Sequence, residues 1–336
     1  MRHLDYFNRN QLKALLSERT GEDKLGSHFE LISPTLPLEV ALSSSKAQFV
    51  LFGIPEDIGV RANFGKPGAQ STWEFVRNTL CNFPFAESSL PKNIALLGHI
   101  NTSFLYNRIE RSTSIDQLRQ LVSELDDVVA ELVFSIVSAG KIPIAVGGGH
   151  NNAFGLIKGT SRALNQGINA VNLDAHTDLR HLEGRHSGNP FSYAIADLFL
   201  DRYAIIGVQE VMTPQYIWDY MLIKNDKILC QTYDAIGLRK EYTFDSALSE
   251  ALNFVSHNAF GVELDVDSMS NFPSSAESTT GWSIEQARRF VSLFGKEKNA
   301  SYLHLSEGII GPVSEPKYAK AMAMFILDFC KSRLTA

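Results

Sequence analysis

The sequence predicts an α/β fold on a parallel sheet. Short apolar runs alternate with longer helical patterns from about residue 48 to the end. Several of these runs are apolar on both faces, as strands covered by helices on each side must be. Alternation of this kind favours parallel pairing through right-handed crossovers. No linker, low-complexity tract or internal repeat divides the chain.

The strand candidates are 48–53, 94–98, 142–146, 168–174, 203–208, 227–230, 260–265 and 301–306. The clearest helix covers 114–139, where Leu118, Val122, Leu125, Val129, Leu132 and Ile136 form one stripe at i, i+3, i+4 spacing. Ser114 opens it and Gly140 sits just past its end, a usual start and stop pair. A length of 336 residues suggests about two domains as a prior. The uniform pattern instead reads as a helical N-terminal extension over 1–45 and a single catalytic α/β domain over 46–336.

Composition narrows the function. Apolar residues make up 44% and charged residues 20%, enough for a sizeable core. The net charge of −6 comes without any basic stripe, so no nucleic-acid partner is expected. Cys81, Cys230 and Cys330 lie far apart without a CxxC pair, which fits a reducing compartment and excludes a thiolate zinc site. The N-terminal stretch is charged throughout, and no window approaches 18 uncharged apolar residues, so neither signal peptide nor membrane span is expected. A soluble, cytoplasmic enzyme acting on a small molecule is the expectation.

Three strand ends carry metal-ligand side chains. Residues 142–150, IPIAVGGGH, run from an apolar strand through three glycines into His150. Residues 170–180, AVNLDAHTDLR, place Asp174, His176 and Asp178 at i, i+2 and i+4, which share one face of an extended backbone. Residues 261–267, GVELDVD, repeat that spacing with Asp265 and Asp267. Alone, each reads as a turn or surface loop; together they form an oxygen-rich set with some imidazole. That set suits Mn2+, with Fe2+, Co2+ or Ni2+ as alternatives. Four carboxylates around one ion would repel strongly, whereas two divalent cations cancel their charge. Two ions sharing carboxylates lower the pKa of a bound water, which implies metal-assisted hydrolysis.

GGGH, DAHTD and LDVD, in this order, resemble the ureohydrolase superfamily of arginases, agmatinases and formimidoylglutamases. Residues 52–69, FGIPEDIGVRANFGKPGA, are similar to the family's N-terminal segment, with Lys66 in the place of its arginine. Residues 303–308, LHLSEG, resemble its late strand, whose glutamate holds the amidine or guanidine group. The resemblance implies a three-layer α/β/α sandwich on a mostly parallel eight-stranded sheet, two Mn2+ per subunit and a homo-oligomer. It further implies that His150 binds one manganese and His176 the other, with Asp174 and Asp265 bridging. Asp178 would complete the first ion's ligands and Asp267 the second ion's, and Glu307 would orient the substrate.

Within the family, the loop after Asp178 discriminates. Arginases and agmatinases carry a proton-transferring histidine directly before the glycine of a His-Gly-x-Pro motif. Here Ser187 occupies that place, in Arg185-His186-Ser187-Gly188-Asn189-Pro190. Ser-Gly-x-Pro-Phe is similar to formimidoylglutamases, which implies substrate roles for Ser187 and Asn189. Arg180 suits a substrate carboxylate, which its fork can grip at both oxygens. Arg185 is a second candidate for that task, or else an ordinary solvated loop residue. Asp178 and His186 are the candidates for proton transfer. Residues 271–282, NFPSSAESTTGW, occupy the substrate-facing loop and depart from the commoner family wording. The reading is a formimidoylglutamase, converting N-formimidoyl-L-glutamate and water to L-glutamate and formamide. The alternatives are a guanidine hydrolase releasing urea and a metal-binding pseudoenzyme on the same scaffold.

Overall fold

Apolar runs of five to nine residues, too short for helices and buried along nearly their whole length, set the architecture. The computed structural model describes residues 2–87, 91 and 93–334. Its strands are β1 (Leu4–Tyr6), β2 (Glu30–Leu31), β3 (Phe49–Gly53), β4 (Ile94–Ile100), β5 (Ile142–Val146), β6 (Ile168–Leu173), β7 (Leu200–Val208), β8 (Ile228–Thr232), β9 (Phe260–Asp265) and β10 (Ala300–Ser306). They form one sheet in the order β1-β4-β3-β5-β10-β9-β6-β7-β8, with β2 beside β4. Every pairing is parallel except β1 with β4.

All eight expected strands are present as β3 to β10, with ends shifted by a few residues. The sheet has ten strands rather than eight. The first 45 residues do hold two helices, Arg9–Leu15 and Leu38–Ser44, but they also supply the two additional strands. Strands of two and three residues carry too little periodicity to be read locally; pairing with β4 creates them.

Alternation along each strand divides the core. Phe49 and Leu51 face one layer, whereas Val50 and Phe52 face the other, as a pleated strand requires. Helices Thr72–Cys81, Phe244–Val255, Ile284–Gly295 and Pro316–Leu334 cover the first face. Helices Ile115–Ser138, Asn152–Leu164, Pro190–Ala196 and Gln215–Ile223 cover the second. The 24-residue helix Ile115–Ser138 has a reciprocal cap, in which Ser114 Oγ accepts from Gln117 N at 3.2 Å and Gln117 Oε1 accepts from Ser114 N at 2.8 Å. It stops at Gly140, whose φ of +72° a side chain would resist. No helix among the described residues is long and apolar enough to cross a membrane.

The strand order puts β5, β10, β9 and β6 side by side at the centre of the sheet. Their C-terminal ends carry His150, Glu307, Asp265 with Asp267, and the 174–178 segment. In open parallel sheets this edge is where ligands bind.

Packing beneath this edge is tight. A Cβ on Gly261 of β9 would overlap the ring of Tyr302, its neighbour on β10, whose hydroxyl donates to Glu263 Oε1 at 2.6 Å. Gly261→Ala is therefore expected to destabilise the fold by about 1–3 kcal/mol through overpacking. Tyr302→Phe, losing only the hydrogen bond, should cost about 1 kcal/mol. Urea unfolding of both variants checks the ranking, and an unchanged midpoint for Gly261→Ala would contradict the packing.

Candidate metal centre

Beyond β5 the chain turns through Gly147 and Gly148, at φ +90° and +78°. A Cβ on Gly148 would lie 2.8 Å from Glu56 Oε1 and 2.9 Å from the Ile54 carbonyl. Only glycine allows so close an approach. Glu56 is completely buried and accepts from Gly149 N (2.8 Å), Ile58 N (2.7 Å) and Asn152 Nδ2 (2.6 Å). This carboxylate staples the 147–152 loop to the 56–59 loop and delivers His150. The sequence reading missed it, although a glutamate directly after an apolar strand was a legible signal.

All six expected ligands converge. His150 Nδ1 lies 2.9 Å from Asp178 Oδ2, 3.1 Å from Asp265 Oδ2 and 3.2 Å from Asp174 Oδ2. It nevertheless makes no hydrogen bond to any of them. A buried nitrogen facing three carboxylate oxygens without bonding one is aimed at a common point between them. His176 Nδ1 lies 3.0 Å from Asp267 Oδ2 and 3.6 Å from Asp174 Oδ1. Two ligand groups result, His150–Asp174–Asp178–Asp265 and Asp174–His176–Asp267, each with ligand atoms within 4.8 Å of one another. Asp174 belongs to both. Asp265 joins only the first, and its Oδ1 accepts from Asp267 N at 2.9 Å.

Electrostatics calls for cations here. Burial and the adjacent Asp174 raise Asp178; burial and Asp267 push Asp265 well above the carboxylate range. Burial alone would lower His150, yet Asp174, Asp178, Asp265 and Glu263 raise it well above the histidine range. Asp267 raises His176 likewise. Raised carboxyls and raised imidazoles side by side mark a shortage of positive charge. The orphaned nitrogen, the mixed oxygen and imidazole donors and the surplus of carboxylates all fit divalent metal ions.

These groups open into a cavity of about 230 Å³ lined by His176, Asp178, Asp265, Asp267 and Glu307, with Arg180, Asn63, Ser187 and Gly188 on the same walls. Met212, Pro214 and Ile217 supply its apolar part. Glu307 accepts from His150 N at 2.7 Å and from Ser275 Oγ of the 271–282 loop. Burial and Asp265 push Glu307 up to about 8. Glu307 and Asp178 both hold positive φ, +63° and +50°, in a backbone region that costs non-glycine residues energy and recurs at functional sites.

Three sequence expectations find no place in this cavity. Arg185 is 4% exposed and pairs with Asp126 at 2.9 Å, so it offers nothing to a ligand. Asn189 is a loop staple, giving Nδ2 to the His181 and Gly184 carbonyls and taking Arg185 and His186 N on Oδ1. His186 accepts from Gly188 N on Nδ1 at 3.1 Å and points Nε2 at Glu183, outside the cavity lining. Burial lowers it to about 4, so it is neutral near pH 7. Arg180 and Ser187 do line the cavity. Behind His150 lies a further group the sequence reading passed over: fully buried Glu263 accepts from Tyr302 and lies 2.6 Å from His304 Nδ1 and 3.5 Å from His150 Nε2.

A stability prediction follows from the clustered acids. Burial pushes Asp267 up to about 6 without metal, against about 4 in an unfolded chain. A raised carboxylate stabilises below its unfolded value, and that stability is lost as pH rises from about 4 through 6. Metal-free Asp267→Asn should therefore melt above metal-free wild type at pH 7, with the gap shrinking at pH 5. Adding Mn2+ should reverse the order, because ligand binding to the native state raises the wild-type Tm. Calorimetric scans with and without Mn2+ at both pH values check this; identical wild-type scans would sink it.

The chain matches the Arginase family over residues 47–307. It is 32% identical over 188 residues to a formimidoylglutamase of Hahella chejuensis, covering 52% of this chain and 51% of the relative. It is 30% identical over 174 residues to a formimidoylglutamase of Chromobacterium violaceum, covering half of each. The chain thus spans about half the length of the curated relatives it matches. Among solved structures, the fold is similar to formimidoylglutamase from Bacillus subtilis, with a TM-score of 0.74 at 15% identity over 95% of both chains. It is also similar to Trypanosoma cruzi formiminoglutamase with Mn2+, with a TM-score of 0.69 at 21% identity over 88% of this chain and 98% of that one. The match spans more than half of the residues, so this chain belongs to the arginase family.

Proposed function

We propose that the chain hydrolyses N-formimidoyl-L-glutamate to L-glutamate and formamide with two Mn2+ ions. The observation that carries this reading is one cavity lined by metal-ligand carboxylates, Glu307 and Arg180, whose guanidinium has no ion-pair or hydrogen-bond partner among the described residues. An amidine needs a carboxylate beside it and a glutamate moiety needs a cation, and both lie on the same walls. The relatives named formimidoylglutamase support the substrate class.

His150, Asp174, Asp178 and Asp265 would hold one ion and Asp174, His176 and Asp267 the other. Bound there, divalent metal would make a water nucleophilic near neutral pH. The chain's own groups do the rest. Glu307, fixed by His150 N and Ser275, faces the amidine, and a cationic substrate favours its ionised form. Asp178 is raised by burial and by Asp174, which suits it to carry a proton to the departing amine at its carboxylate oxygen. Arg180 grips a carboxylate with its planar fork. Asn63, whose Nδ2 donates to Ser187 Oγ at 3.3 Å, and Ser187 set the adjoining wall.

Two predictions test the reading. With manganese, formimidoylglutamate should release formamide; release of urea from arginine or agmatine at a higher kcat/KM would assign the chain to guanidines instead. Arg180→Ala should lower kcat/KM for formimidoylglutamate about 10- to 100-fold, the worth of a charge-assisted hydrogen bond of about 1.5–3 kcal/mol. Arg180→Lys should fall between Ala and wild type, with metal content unchanged. Equal losses on agmatine, which has no carboxylate, would show that Arg180 supports the loop rather than reading the substrate.

A further inference from the structure

We infer that Arg185 is a positioning residue that locks together the two loops of the cavity, the 147–152 loop with His150 and the 181–190 loop with Ser187 and Gly188. Its guanidinium makes five hydrogen bonds in three directions. Nε donates to Asp126 Oδ2 at 2.9 Å, with Nη2 reaching Asp126 Oδ1 at 3.4 Å. Nη2 also donates to the carbonyl of Asn151 at 2.9 Å. Nη1 donates to Asn189 Oδ1 at 2.5 Å and to the His186 carbonyl at 3.4 Å. The plane lies between the rings of Phe154 and Tyr193, 4.8 and 5.0 Å from their centroids.

Each direction has a consequence for the site. Asn151 directly follows His150, so its carbonyl fixes where the ligand histidine sits. Asn189 closes the second loop, in which the Gly188 carbonyl accepts from Arg180 N at 3.0 Å. Gly188 itself has no room for a side chain, since a Cβ would lie 2.8 Å from Arg180 Cδ and 2.9 Å from Asn63 Nδ2. Asp126 supplies the anchor, buried on helix Ile115–Ser138. That helix packs closely against helix Asn152–Leu164, where a Cβ on Gly155 would sit 2.8 Å from Val129 Cγ1 and 3.1 Å from the Asp126 carbonyl. A rigid helix thus sets the spacing between metal ligands and substrate wall through one planar cation. Lysine would keep the charge against Asp126 but reach only one direction at a time.

The test uses the full chain and reads hydrogen exchange and Mn2+ titration, neither of which requires a substrate. It therefore stands apart from the hydrolase reading: a wild type that leaves formimidoylglutamate untouched would refute that reading alone. Arg185→Lys should accelerate exchange in both 149–152 and 184–189 and weaken Mn2+ binding by about tenfold, the lower end for residues that orient metal ligands. Asn189→Ala should accelerate 184–189 only and leave Mn2+ affinity near wild type. A purely local role for Arg185 would leave 149–152 protected and Mn2+ affinity unchanged in Arg185→Lys, and that result overturns the inference. Should Arg185→Lys be too unstable to purify, Asp126→Asn must show the same paired acceleration at smaller size; acceleration of one loop alone overturns it equally.

Discussion

The repulsion among buried carboxylates governs this structure. Asp174, Asp178, Asp265, Asp267 and Glu307 gather at the ends of three neighbouring strands, and Glu263 lies directly behind His150. Each buried charge left uncompensated costs several kcal/mol, and two imidazolium rings cannot balance so many acids. Burial and mutual repulsion raise Asp178 and Asp265, and the surrounding carboxylates raise His150 and His176. Positive charge is therefore a structural requirement of the site before it is a catalytic one. Divalent metal would supply it without the hydrogen-bond geometry that His150 Nδ1 fails to find.

Rigid parts keep such a cluster from relaxing apart. Every ligand sits within a few residues of a strand that is buried on both faces, and the strands are locked by parallel pairing to both sides. Glu307 and Asp178 occupy backbone conformations that a free loop would leave. Uncharged donors hold Glu307 there, since the His150 amide and Ser275 satisfy its carboxylate. Glu56 does the same service one layer out, binding the backbone that carries His150. Buried polar groups of this kind contribute order rather than net stability, because a satisfied hydrogen bond gains only about 1 kcal/mol while an unsatisfied one loses more.

What the sequence disclosed follows from locality. The eight central strands were legible because burial on both faces leaves an unbroken apolar run, and the ligands because i, i+2 spacing is a property of extended chain. β1 and β2 were not, since their pairing with β4 exists only after collapse. Glu263 and His304 looked like unremarkable strand residues until β9 and β10 lay side by side. Ser275 is 32 positions from Glu307, and the His150 amide is 157 from it. No window along the chain contains such pairs. Asp126 is the instructive exception. It lies four residues after Val122 and three before Val129, on the stripe read as buried, and a carboxylate there calls for a partner.

That partner explains why two arginines five residues apart in one loop differ in kind. Arg185 has given its charge to Asp126 and its remaining donors to carbonyl and amide oxygens, so a substrate carboxylate would have to displace bonds already made. Arg180 stands exposed on the cavity wall with its fork unspent. A free cation facing a carboxylate-rich pocket would ordinarily collapse onto the nearest acid. Here the clustered aspartates are turned towards one another and towards the two histidines, and Glu307 is held by His150 N and Ser275. Charge of both signs thus survives in one small cavity, each committed to a different partner. The proposed substrate carries an amidine and a carboxylate, and separated charges of both signs would suit it.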